Sequence, residues 1–187
     1  MNYLTIYPTT IADGPGVRVS IYVSGCHFHC KGCHNPESWN FNAGQEFTDE
    51  TLETLFNYCN HDYIRGLSIL GGEPLNENNR GVVRDIIVDF KRRFPDKDLW
   101  IWTGYEYSDL IAELDALGRA PFLKSFYTLL NILSDTDVLV VGQFLLDQRD
   151  ITKNNLYRGS TNQRVIDVKK SLETNSCVYL DGIPNNS

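Results

Sequence analysis

Val17-Arg18-Val19-Ser20-Ile21-Tyr22-Val23 runs straight into Ser24-Gly25-Cys26-His27-Phe28-His29-Cys30-Lys31-Gly32-Cys33-His34-Asn35-Pro36. The first part alternates β-branched and polar side chains, which is the period of a strand. Ser24-Gly25 ends that run, and the three cysteines follow with the spacing C-x3-C-x2-C. Bridged cysteines need a specific separation and dihedral, so thiols this crowded disfavour a disulfide framework. Clustered thiols in a reducing compartment instead hold metals or do redox work. Thiolates are the usual ligands of iron–sulfur clusters, which normally take about four. Three thiolates hold three corners of a cubane and leave the fourth iron open to a ligand, by the logic that separates catalytic from closed structural zinc sites. The same loop also suits a structural zinc site, with His27, His29 or His34 as the fourth donor.

Outward from this loop the chain alternates short apolar runs with longer helical patterns, the mark of βα units and a mainly parallel sheet. Residues 48–59 predict a helix capped by Thr48, with Asp49 and Glu50 in its first turn and Leu52, Leu55, Phe56 and Cys59 on one face. Residues 67–70 predict a buried strand ended by Gly71-Gly72. Residues 76–94 predict a second helix with Val82, Val83, Ile86, Ile87 and Phe90 inward; Lys91, Arg92 and Arg93 complement its C-terminal dipole and Pro95 stops it. A strand is expected over 99–103, a helix over 108–117 with Ser108 as its cap, and a further buried strand over 138–141. Residues 165–168 and 178–180 carry weaker strand patterns. Residues 119–133 have aromatics but no clean period, residues 147–155 read as a polar surface connection, and 184–187 as a frayed tail.

A chain of 187 residues suits one domain. A closed eight-stranded α/β barrel takes about 250 residues. The expected fold is therefore α/β with five or six strands, as a partial (β/α) barrel or an open curved, mainly parallel sheet. The core is expected over about residues 14–168, with 169–187 as a C-terminal extension. The loops that follow Val23, Leu70, Thr103 and Val141 are expected to share one rim, because active residues in parallel α/β sheets sit at the C-terminal strand ends. The net charge of −7 argues against nucleic acid as the main partner. No apolar run is long enough to span a membrane and no leader pattern stands at Met1, so the expected location is the cytoplasm. Cys59 reads as a small buried hydrophobe, and Cys177 has no evident role.

The second decisive motif is Gly71-Gly72-Glu73-Pro74, directly after a buried strand. The glycines allow close backbone approach to a ligand, and Glu73 adds a carboxylate that can face an ammonium group. Taken alone, the motif is equally a strand-ending turn.

With C-x3-C-x2-C after the first predicted strand and GGEP after the next, the chain resembles the radical S-adenosylmethionine superfamily, and more closely its organic-radical-activating family. The resemblance is carried by Asp13-Gly14-Pro15-Gly16-Val17-Arg18, the segment 24–39, Gly71 to Leu75, Trp100-Ile101-Trp102-Thr103-Gly104-Tyr105 and Arg158-Gly159-Ser160-Thr161-Asn162-Gln163. The tryptophan and RGS-x-NQ segments point to the branch that activates anaerobic (class III) ribonucleoside-triphosphate reductase. The resemblance implies a radical activase, an oxidoreductase. In it Cys26, Cys30 and Cys33 ligate a 4Fe–4S cluster whose open iron is chelated by the methionine end of S-adenosyl-L-methionine. Gly71, Gly72 and Glu73 would hold that methionine end, and Gly32, Cys33 and His34 would line the cofactor. Reductive cleavage of the sulfonium would then generate a glycyl radical on the large subunit of the reductase, with a reduced flavodoxin- or ferredoxin-type electron donor and no conventional general base. An activator of pyruvate formate-lyase, or a non-catalytic zinc or iron–sulfur module, are the competing readings. The chain departs from the family pattern at His34, where relatives often carry another aromatic, and at Val141-Gly142-Gln143, where they often carry Asp-Gly-Lys.

Overall fold

The computed structural model describes residues 1–152 and 156–183. Its strands are β1 (Asn2–Thr10), β2 (Val17–Val23), β3 (Gln45–Glu46), β4 (Ile64–Gly71), β5 (Asp98–Trp102), β6 (Val138–Val141) and β7 (Arg164–Asp167). Its helices are α1 (Asp49–Cys59), α2 (Glu77–Arg93), α3 (Tyr107–Gly118), α4 (Lys124–Asp135) and α5 (Val168–Thr174). The strands form one open sheet in the order β3-β1-β2-β4-β5-β6-β7.

The centre of that sheet is parallel. β2 pairs with β4, β4 with β5 and β5 with β6, and all three crossovers run through helices. β4 and β6 are buried on both faces, which explains their near-continuous apolar sequences. Register levels the strand ends: Val23 lies opposite Gly71, Ile69 opposite Ile101, and Trp102 opposite Val140. The four loops after β2, β4, β5 and β6 therefore emerge along one rim.

The main core lies between one sheet face and the helices. Val19, Ile21, Leu67, Ile69, Leu99, Ile101 and Leu139 meet Phe56 of α1, Ile86 and Phe90 of α2, Leu110 of α3 and Ile132 of α4. The alternate positions of the strands make the opposite face. There Trp100, Val138, Val140 and Val165 are covered by Trp102, Tyr157, Leu180 and Ile183, so the segment after α5 folds back under the sheet. Arg18 sits on the same face, fully buried. Its Nε donates to Ser68 Oγ at 2.8 Å and its Nη2 to the Leu67 carbonyl at 3.0 Å, while Nη1 is paired with the Asp98 carboxylate. The guanidinium also stands 5.5 Å from the Trp100 ring centroid. Burial lowers the Arg18 pKa and Asp98 opposes that shift. Ser68 Oγ passes the contact on by donating to the Asp13 carbonyl at 2.6 Å, which fastens the β1–β2 turn beneath the site.

Several expectations need correction. The sheet is mixed: β1, β3 and β7 pair antiparallel. β1 had no clear strand signal because its residues are only partly buried and Pro8 interrupts it; the register slips between Tyr7 and Thr10. α3 begins before Ser108, its N-cap is Glu106, and no side chain caps it. Within 119–133, residues from Lys124 onward belong to α4, whose buried stripe is Thr128, Leu129, Ile132 and Leu133. The strand expected over 165–168 ends at Asp167, whose side chain caps α5 by accepting from the Lys170 N–H. The strand expected over 178–180 is a single bridge, Ile166 to Tyr179. The connection over 147–155 includes a short 3-10 turn at Leu146–Gln148 and a bridge from Arg149 to Ser160; residues 153–155, like the tail 184–187, lie outside the described residues. Among the described residues no helix is long and apolar enough to cross a membrane.

Candidate functional site

A cavity of about 370 Å³ opens at the C-terminal ends of the parallel strands. That volume falls within the roughly 300–1,000 Å³ of small-ligand pockets. All four rim loops line it: Cys26, Phe28, Cys30, Cys33 and His34 after β2; Gly71, Gly72 and Glu73 after β4; Thr103 and Gly104 after β5; Gly142, Gln143 and Phe144 after β6. Residues that lie far apart in sequence thus share one wall, as the strand register requires. Gly32 is the exception among the expected cofactor residues: it lines a neighbouring depression, and a side chain there would meet Leu146.

The cysteine loop is braced from below. The Gly25 N–H donates to the Ser38 carbonyl at 2.7 Å, and Cys33 N–H to the Cys30 carbonyl at 3.1 Å. All three thiols are partly exposed and none forms a disulfide. Burial pushes the Cys26 and Cys30 thiols above the usual range, so without a metal they stay protonated near neutrality. A metal overrides that preference, since a coordinating thiol is deprotonated outright.

The β4 turn is bolted to the same loop. Gly72 N–H donates to the Val23 carbonyl at 2.7 Å and Glu73 N–H to the Gly25 carbonyl at 2.8 Å. Gly71 has φ +106°, a backbone state that side-chain-bearing residues rarely adopt. At Gly72 the constraint is space: an added Cβ would lie 2.7 Å from the Gly25 carbonyl oxygen. Gly72→Ala is therefore expected to part the two loops, at a cost of about 1–3 kcal/mol. In a thermal melt of the metal-free chain this should lower the midpoint by several degrees, at about 2–4 °C per kcal/mol.

The Glu73 carboxylate, offered to an ammonium group in the sequence reading, is turned onto protein donors. Its Oε1 accepts from the Leu75 N–H and the Thr103 hydroxyl, each at 2.8 Å, and its Oε2 from the Gly104 N–H at 2.7 Å. It is 1% exposed. Burial pushes its pKa up to about 7, against the pull of those three donors. Glu73 thus joins the β4 turn to the β5 turn.

Two of the segments that carry the resemblance, without an assigned role, also reach the site. Asp13 lines the cavity and accepts from the Tyr22 hydroxyl at 3.2 Å; burial, then the Asp13 charge, raise the Tyr22 phenol. In the segment 158–163, Gln163 Oε1 accepts from the Gly159 N–H at 2.7 Å, and its Nε2 donates to the Gly142 carbonyl at 2.8 Å. The Asn162 amide donates to the Gln143 carbonyl at 2.9 Å. This segment braces the loop after β6 while presenting Arg158 and Gly159 to the cavity. Phe144 and Tyr157 were not singled out for the site by sequence reasoning, and no motif marks them; Thr103 stands in the Trp100–Tyr105 segment but had no role assigned. Asn79 had a readable signal: a polar residue at helical spacing from Val83, Ile86 and Phe90 on the buried face of α2.

Among the described residues no three His, Cys, Asp or Glu side chains gather around a single ion position. Cys26, Cys30 and Cys33 are three partly exposed thiols on one cavity, a donor set of the kind that holds a cubane at three corners. Two of the three loop histidines have other engagements: His27 Nδ1 is 3.0 Å from the Asn76 amide nitrogen, and the His29 ring stacks on Trp39 with centroids 4.7 Å apart, while His34 lines the cavity.

Residues 12–166 match the family described as a 4Fe-4S single cluster domain. The chain is also similar to proteins named anaerobic ribonucleoside-triphosphate reductase-activating protein. The one from Enterobacteria phage T4 is 36% identical over 165 residues, covering 88% of this chain and 93% of the relative. The Haemophilus influenzae protein is 39% identical over 165 residues, 87% of this chain and 96% of the relative. The Escherichia coli K12 protein is 35% identical over 167 residues, 88% of this chain and 97% of the relative.

Proposed function

Because this chain belongs to the 4Fe-4S single cluster domain family and to the anaerobic ribonucleoside-triphosphate reductase-activating proteins, we propose that it activates an anaerobic reductase by installing a glycyl radical on it. The observation that carries this reading is one cavity lined both by Cys26, Cys30 and Cys33 and by Gly71, Gly72 and Glu73. A cubane on the three thiolates, with S-adenosyl-L-methionine on its open iron, would supply the electron that breaks the sulfonium carbon–sulfur bond and the radical that takes a hydrogen from a glycine of the reductase.

The chain's own residues have simpler tasks. The three thiolates anchor the metal group. The Gly71-Gly72 backbone, free of side chains, lets a methionine end approach. Cys33 and His34, which line the cavity, would flank the cofactor beside the cluster, and Phe28, Trp102 and Phe144 give the cavity apolar surface that excludes water. Hydrogen abstraction needs near-attack contact at about 3–3.5 Å, so the reductase must present its glycine segment to the mouth of the cavity. The rim reading, with its levelled parallel strands, supports a radical-SAM-type incomplete barrel. A reduced flavodoxin- or ferredoxin-type protein is the proposed electron source.

The test is direct. The anaerobically reconstituted protein is mixed with S-adenosylmethionine, a reductant and the reductase, and the glycyl radical is read by electron paramagnetic resonance. A signal that depends on all components is expected. Its absence, or an equal yield on pyruvate formate-lyase, would overturn the assignment.

A further inference from the structure

We propose that Asn79 is a positioning residue that sets the spacing between the cysteine loop and the GGE turn. The inference rests on the proposed function, because that spacing matters only if one ligand must meet both. Asn79 stands in the first turn of α2 and is 1% exposed. Its side-chain nitrogen donates to the Ser24 carbonyl and to the Glu73 carbonyl, each at 2.9 Å, with the Gly25 carbonyl at 3.4 Å. One amide thus bridges the chain two residues before Cys26 and the chain directly after Gly72. The Asn79 N–H is itself held by the Asn76 carbonyl at 2.8 Å, so the amide projects from a fixed turn.

The geometry has a chemical consequence. Ser24 and Glu73 present carbonyl oxygens, which repel each other and attract any nearby donor. Two N–H groups on one nitrogen serve both at once, beside the Asn76 N–H that also reaches the Glu73 carbonyl at 3.2 Å, and add a side-chain bridge to the backbone bonds from Gly72 and Glu73 to the chain before Cys26. A ligand that chelates iron on the cysteine loop and rests on the GGE turn needs both held to within about 0.5 Å. A misplacement of about 1 Å in such a site costs on the order of a hundredfold.

Asn79→Asp keeps the shape and replaces the donor with an acceptor. Asn79→Ser shortens the side chain and guards against a misfolded first variant. Val83→Ala removes core contact from the same helix and serves as the stability control. Each is reconstituted anaerobically beside the wild type. Iron and sulfide per chain, the thermal midpoint and the dissociation constant for S-adenosylmethionine are measured. The expected result is wild-type iron in both Asn79 variants with affinity for S-adenosylmethionine weakened tenfold or more, while Val83→Ala binds it as the wild type does. Affinity within twofold of wild type in the Asn79 variants overturns the proposal. Equal weakening in Val83→Ala, iron loss in step with the loss of affinity, or failure of both Asn79 variants to melt cooperatively also overturns it, in favour of a core role. A wild type that loads iron but binds no S-adenosylmethionine overturns the functional reading and this inference together.

Discussion

Replacing any one of Cys26, Cys30 or Cys33 with alanine is expected to abolish the iron–sulfur chromophore and the glycyl-radical yield while the chain stays folded. The three thiols are partly exposed, stand on a loop beyond the strand ends and contribute nothing to the apolar core. Their loss therefore removes function and little stability. Cys59 makes the contrast. It is fully buried in the core on α1, outside the cavity lining, and burial pushes its thiol up to about 12. Cys59→Ala should cost about 1–2 kcal/mol, the loss of a small buried group, and keep its iron. Iron and sulfide analysis with thermal melts separates the two classes. Full iron retention in any of the three loop variants would remove that cysteine from the ligand set. Loading should also improve as pH rises, because the raised Cys26 and Cys30 thiols must release protons to bind metal.

The second large effect belongs to Glu73. Its carboxyl is held at about 7 in the fold, above an ordinary glutamate. Below about pH 4.5 the group is protonated in both folded and unfolded chains and contributes no pH dependence. Between about 4.5 and 7 the unfolded chain releases this proton first, so the fold loses stability as pH rises, by on the order of 3 kcal/mol in total. Above about 7 the loss levels off. Glu73→Gln cannot titrate and should lack this component, so the difference between the urea stabilities of variant and wild-type metal-free chains should change across that window. Asp137 works in the opposite sense, its carboxyl lowered by Lys169 and Lys91 against the effect of burial, and cancels in the difference. Parallel stability curves would refute the role of Glu73 as a buried titrating group. In the loaded enzyme Glu73→Gln places an amide nitrogen against one of the donors from Leu75, Thr103 or Gly104, so the β5 turn moves and activation falls. Radical yield reduced tenfold or more is the expected reading.

What the sequence determined by itself is local. Strand alternation in β2, the C-x3-C-x2-C spacing, the glycine turn after β4 and the apolar stripes of α1 and α2 are each written in residues a few positions apart. Their periods follow from backbone geometry, so they need no knowledge of the rest of the chain. The common rim also followed, because parallel strands joined by helices bring their C-terminal ends together.

Tertiary structure decided the partners. β1 is antiparallel and only partly buried, and its pairing depends on a neighbour across the DGPG turn. α4 hides its stripe until it docks against α2 and α3. Glu73 faces Thr103 and Gly104, thirty and thirty-one positions away, and Asn79 faces Ser24, fifty-five away. Such bonds leave no periodic trace in the chain. They exist because strand register and helix docking bring particular donors to carbonyl and carboxylate oxygens that burial has stripped of water, where an unpaired group costs about 1–3 kcal/mol.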